Sequence, residues 1–124
     1  MALAMTTLGD RFIDIITQDT DADELPVNDI TGKAGSLYYV KVVNAWSASS
    51  VYLKIYDSTS ATHGTTHPIF VTKVGPSSTA YCVIPDGMAF VNGLSYCVTD
   101  GAGTGAVNDN GPPTGNVTVR MVVS

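Results

Sequence analysis

Residues 36–57 read SLYYVKVVNAWSASSVYLKIYD, two alternating runs joined by a small polar link. In the first run Tyr38, Val40, Val42 and Asn44 fall on one face, and Leu37, Tyr39, Lys41 and Val43 on the other. A two-residue period marks a half-buried strand, and the first set is expected to face the core, with Tyr39 and Lys41 outward. The second run repeats the pattern, with Val51, Leu53 and Ile55 opposed to Tyr52, Lys54 and Tyr56.

Working outward, PIFVTKV (68–74), TAYCVIP (79–85) and LSYCVTD (94–100) read as strands, as do the short Met88–Val91 and the closing Asn116–Val123. Upstream, RFIDIIT (11–17) alternates more weakly, and Gln18–Asn28, acidic and carrying Pro26, reads as an extended arm or loop. Thr31–Gly35, Pro85-Asp86-Gly87 and Asn92-Gly93 are turn signals, and Gly75–Ser78 is expected to close a short hairpin. Ser58–His67 is long for a hairpin loop, and the Gly- and Pro-rich Asp100–Gly115 is expected to be a long exposed loop. The fold class expected is all-β, an antiparallel β-sandwich or jelly-roll-like domain with an extended acidic N-terminal arm. Residues 1–30 would form the arm and first strand, and 31–124 the sandwich.

Only 14% of the 124 residues are charged, against roughly 25% in an ordinary domain. Ser, Thr, Asn and Gly take the polar positions instead, and such a surface costs little to desolvate against a protein partner. The net charge of −5 is uneven. Asp10, Asp14, Asp19, Asp21, Asp23, Glu24 and Asp29 stand against Arg11 in the first thirty residues. Beyond them, Asp57, Asp86, Asp100 and Asp109 are outnumbered by Lys33, Lys41, Lys54, Lys73 and Arg120. Nucleic acid is not expected as a partner, because no basic stripe is present to hold phosphates. Neither is a membrane, since no apolar run approaches the roughly 18 residues a span needs. The start MALAMTTLGD lacks a basic segment before its apolar residues, so synthesis and folding in the cytoplasm of the producing cell are expected.

Candidate chemistry is thin. His63 and His67 have the spacing of a zinc half-site, but no carboxylate or thiol lies beside them in the loop, and solvated loop histidines are the simpler reading. Asp19–Glu24 opens like a calcium loop, then places Glu24 where a glycine is needed and Ile30 where a bidentate glutamate is needed. Both histidines share one loop, and the acids of the later strands lie at their ends, so neither a nucleophile–base pair nor a glycosidase carboxylate pair is legible. The glycines of 101–105 are followed by no helix or lysine that would make a phosphate cradle. Asn116-Val117-Thr118 fits a glycosylation sequon, at the start of a strand. Trp46, Tyr38, Tyr39, Tyr52, Tyr56 and Tyr81 would stack on sugars if several were exposed together; at strand positions, core or subunit contact is the commoner use. Cys82 and Cys97 lie in separate strands, either paired or, in a reducing compartment, as two thiols. No enzyme activity and no cofactor are expected.

YLKIYD (52–57), then Gly64-Thr65-Thr66-His67-Pro68, then DGMAFVNGLSYCVTDGAG (86–103) resemble a recurring pattern. It is that of small β-sandwich virion proteins of tailed bacteriophages, cyanophages among them, and the likeness covers roughly residues 31–124. The resemblance implies a structural protein of the capsid exterior, a cement or decoration protein bound to the major capsid protein, commonly as a homotrimer. Similar modules serve as head fibres or tail-associated knobs that recognise a host glycan or protein. The charge split adds a capsid-contact expectation for Asp10, Asp14, Asp19, Asp21, Asp23, Glu24 and Asp29, with His63, His67 and Asp109 on loops exposed to solvent.

Overall fold

The computed structural model describes residues 2–7, 15–103 and 111–124. Eight strands follow one another: β1 (Leu3–Thr7), β2 (Ile15–Asp19), β3 (Gly35–Asn44), β4 (Val51–Asp57), β5 (Phe70–Val74), β6 (Ser78–Phe90), β7 (Leu94–Thr99) and β8 (Val117–Val123). They form two antiparallel sheets, one ordered β1-β2-β8-β3-β6 and the other β5-β4-β7. The all-β class and the two-sheet layering expected from the alternation are present.

Val51, Leu53 and Ile55 of β4 meet Val40 and Val42 of β3 and Val117, Val119, Met121 and Val123 of β8 in one continuous core. Each of these side chains is essentially withdrawn from water, worth about 1.5–3 kcal/mol apiece. Asn44, also on the core face, is satisfied: its Nδ2 donates to Ser49 O at 3.0 Å and Gly75 O at 3.0 Å, and its Oδ1 accepts from Trp46 N at 3.0 Å. One amide thus ties together the two connections, β3–β4 and β5–β6, that pass between the sheets at this end.

The β3 face assignment needs one amendment. The register jumps between Leu37 and Tyr39, so Tyr38 is the extra residue of a bulge. Parity changes there, and Leu37 is buried while Tyr38 is only half-buried. The partner strand carries the matching irregularity. Leu37 pairs Met88 and Tyr39 pairs Val83, which leaves Ile84–Gly87 looped out of β6. The Pro85-Asp86-Gly87 signal therefore bends one long edge strand where a reversal and a separate short strand were expected. Gly87 has φ 77°, and a Cβ there would sit 2.8 Å from Ser36 Cβ and 2.9 Å from the Tyr38 ring. Only glycine fits.

The expected hairpin at Gly75–Ser78 is also corrected. β5 and β6 belong to different sheets, so this link crosses the sandwich. Turn residues mark where a strand ends, without saying which sheet the chain enters next.

The largest revision concerns residues 15–30. β2 pairs with both β1 and β8, and β1 was not anticipated. Beyond β2 the chain runs beside β7, with Val98 N bonded to Asp23 O (2.8 Å), Val27 N to Tyr96 O (2.9 Å), Tyr96 N to Val27 O (3.1 Å) and Ile30 N to Leu94 O (2.9 Å). Ala22 and Ile30 are buried. The segment expected as an extended arm is thus a working part of both sheets, and a chain starting at residue 30 would lack β2 and the guard on β7. The opening part of that expectation, residues 8–14, lies outside the described residues.

Candidate functional site

The two sheets differ in how their outer sides are treated. On the three-stranded sheet the outward residues include Lys54 and Tyr56 of β4 and Ser95, Cys97 and Thr99 of β7, and all five are buried. The β4–β5 loop folds back over them. Asn28 is joined to Ala61 of that loop in both directions, Ala61 N donating to Asn28 Oδ1 at 2.9 Å and Asn28 Nδ2 donating to Ala61 O at 3.4 Å. Ser95 Oγ donates to Ser58 O at 2.6 Å, Tyr56 Oη lies 3.3 Å from Cys97 Sγ, and Thr99 Oγ1 donates to Gly101 O at 2.8 Å. Over β4 and β7 the polar groups are spent on the chain itself, while Val71 and Lys73 of the β5 edge are exposed.

The outer side of the five-stranded sheet has no such cover among the described residues. Cross-strand pairing arranges it in three rows: Val83, Tyr39, Val122, Ile16 and Thr6; then Tyr81, Lys41, Arg120, Gln18 and Ala4; then Thr79, Val43 and Thr118. Two cations stand among them and no carboxylate. Tyr81 and Val83 are 63% and 66% exposed. The Tyr39 and Tyr81 rings lie 6.4 Å apart at 48°, and Lys41 Nζ sits 5.7 Å from the Tyr81 centroid, within cation–π range. Lys41 and Arg120 are directly paired across β3 and β8, an arrangement of like charges that weakens a sheet. Among the described residues neither has a carboxylate at ion-pair distance.

The acidic residues singled out in the sequence are divided by the fold. Asp19 is fully buried. Its Oδ2 accepts from Tyr96 Oη at 2.7 Å, and its Oδ1 from Ala2 N at 3.1 Å and Asp21 N at 3.0 Å. It is an internal tie between the sheets and presents no surface, which corrects its place among the contact residues. Burial first, and then the bond to Asp19 and its charge, hold the Tyr96 hydroxyl far above the ordinary tyrosine range, so it remains a donor. Asp29 adopts φ 50° where the chain turns from β7 towards β3, and its N–H donates to Ser95 Oγ at 3.0 Å. Asp23, Glu24 and Leu25 form a short rim beside β7, with Leu25 67% exposed and Asp23 Oδ1 accepting from Leu25 N at 3.0 Å. Asp21 is exposed beside them. Asp10, Asp14 and Asp109 lie outside the described residues.

His63 is half-buried and His67 exposed, on a loop held by Thr65 and Thr66 N–H groups bonded to Thr62 O. Among the described residues no cluster of three metal-ligating side chains occurs, and no helix is long and apolar enough to cross a membrane. Cys82 and Cys97 belong to different sheets and are not bonded to one another. Of the six aromatics considered for sugar stacking, only Tyr39 and Tyr81 are brought together on the surface. Tyr56 is buried, Trp46 packs against the core, and Tyr38 and Tyr52 are half-buried apart from that pair.

Asp57, read from the sequence only as a strand-end acid, has a structural duty. Its Oδ1 accepts from Val91 N (3.1 Å), Asn92 N (2.8 Å) and Gly93 N (3.3 Å), with Oδ2 also 3.1 Å from Val91 N. Hydrogen bonds from Val91 and Asn92 lower its carboxyl below the ordinary aspartate range. It caps the β6–β7 turn. An acid at a strand end, thirty-odd residues before an Asn-Gly turn, gives no local sign of that duty.

No protein-family model, curated protein or solved structure matches the chain.

Proposed function

We propose that this chain is a structural virion protein of a tailed phage, a cement or decoration protein that binds the outside of the major capsid protein shell as a homotrimer. The observation that carries the reading is the uneven covering of the two sheets. One outer side is closed over β4 and β7 by the chain's own loops, with only its β5 edge exposed. The other offers Tyr39, Tyr81, Val83, Val122 and Ile16 around a cation pair. A small sandwich whose described residues leave an apolar face of this breadth open is suited to being covered by protein.

The strand order supports a finer reading as a jelly roll. If residues 23–30 are counted as the strand beside β7, the sheets become β2-β8-β3-β6, flanked by β1, and (23–30)-β7-β4-β5. That is the double Greek-key arrangement common among viral coat domains. The motifs resembling phage virion proteins fall mainly on β4, β7 and the β4–β5 loop. β4 and β7 are the most thoroughly buried strands, so the likeness speaks for the fold more than for a contact surface.

A second reading, a head-fibre or tail knob that binds host glycan, draws on the Tyr39–Tyr81 pair with Lys41 over one ring. Cosedimentation with undecorated capsids separates the two. A cement protein pellets with the shells and saturates at a fixed ratio to the major capsid protein. Protein left in the supernatant at every concentration would reject the cement reading and direct the search to host cells.

A further inference from the structure

We infer that the open face of the five-stranded sheet is the seat for the acidic rim of a second copy, so that subunits join head to tail. The seat is apolar and cationic: Tyr39, Tyr81, Val83 and Val122 surround the unlike-charge-free pair Lys41 and Arg120. Face-to-face packing of two such sheets in register would bring four cations together, which disfavours the symmetric arrangement on electrostatic grounds. What fits is a surface of opposite charge with an apolar centre. The same chain carries one in Asp23-Glu24-Leu25.

That rim is firmly presented. Ala22 N bonds Val117 O at 3.1 Å, Val98 N bonds Asp23 O at 2.8 Å, and Val27 exchanges two bonds with Tyr96, so Glu24, Leu25 and Pro26 bow outward between fixed points. Leu25 leaves two-thirds of its surface in water just after two carboxylates, Asp23 and Glu24. Set against the open face, Leu25 would fill the space between Tyr81, Val83 and Val122. Asp23 and Glu24 would meet Lys41 and Arg120, relieving a like-charge pair that the monomer leaves standing. Because seat and rim are different parts of the molecule, the contact is heterologous and closes into a ring when the rotation permits. It supplies the contact for the proposed homotrimer and rests on the reading of the chain as an assembling structural protein.

The test is made in solution without capsids, so its failure is distinct from a failure of shell binding. Sedimentation velocity of the full chain should show a species at a multiple of the 12.9 kDa monomer, weakening as salt rises. The double reversal Lys41→Glu/Arg120→Glu, the single reversal Glu24→Lys and the apolar change Leu25→Ser should each weaken association at least tenfold. The double reversal combined with Asp23→Lys/Glu24→Lys should restore it. Thermal melts report whether each variant folds, and the salt dependence of the native chain stands if one does not. A monomer at every concentration overturns the inference. So does an oligomer insensitive to salt and to every folded variant, or a charge-swapped pair that folds without reassociating.

Discussion

Tyr56 and Tyr81 are outward tyrosines of the two sheets, Tyr56 on the central strand β4 and Tyr81 on the edge strand β6. One is fully buried and the other 63% exposed. An edge strand is open on one flank, and the rest of the difference arises beyond the strands. The β4–β5 loop and the residues after β7 fold back over the three-stranded sheet, whereas no described segment crosses the five-stranded one. Closing a sheet with its own loops turns outward polar side chains into structure. Leaving one open keeps them in water, and among the described residues this chain does each once.

The largest expected effect tests that contrast directly. Tyr56→Ala should cost about 4 kcal/mol, from lost burial and the cavity left under the loop. Tyr81→Ala should change monomer stability by less than about 0.5 kcal/mol. Urea titration of both variants checks the pair, and similar costs would mean that the two faces are not differently covered. Between the sheets, Tyr96→Phe removes one of three donors to a buried carboxylate and should cost about 2 kcal/mol. A near-neutral result would show that water or a rearrangement replaces the hydroxyl at Asp19.

At the seam of the closed side, Asp57→Asn should cost about 1 kcal/mol near neutral pH, a modest figure because water screens a carboxylate so near the surface. The folded carboxyl titrates below its unfolded value. Its stabilisation is therefore present above the unfolded aspartate value of about 3.9 and is lost as pH falls through the lower folded value. Stability curves of native chain and variant should converge over that acidic window. A constant gap would mean that the Asp57 charge is not what holds the turn. The smallest effect belongs to the open face. Arg120→Gln should raise monomer stability by about 0.3 kcal/mol by removing the like-charge pair with Lys41, measured under dilute conditions where the chain is monomeric.

Much of the fold was legible because strand alternation is local. Val117, Val119, Met121 and Val123 announce β8 and its buried face without reference to any other segment. What the sequence withheld is relational. Leu37 pairs with Val123 across most of the chain, and no turn residue encodes that. Gly75–Ser78 looks like a hairpin because the same residues serve reversals and crossings alike. Residues 18–28 look solvated because of their charge, yet Asp19 goes inward to meet Tyr96, a partner 77 positions away. The open face proposed as an interaction surface was half legible. Tyr39 and Lys41 were expected to face outward, but the two rows joining them to Val83 and Val122 and to Tyr81 and Arg120 exist only once β3 lies between β6 and β8.

Cryo-electron microscopy of undecorated capsids mixed with the purified protein tests the central claim most directly. The account predicts ordered density at every local three-fold position, with the face bearing Tyr81, Lys41 and Arg120 covered by protein. Bare shells, or bound subunits whose five-stranded sheet still faces solvent, would contradict it.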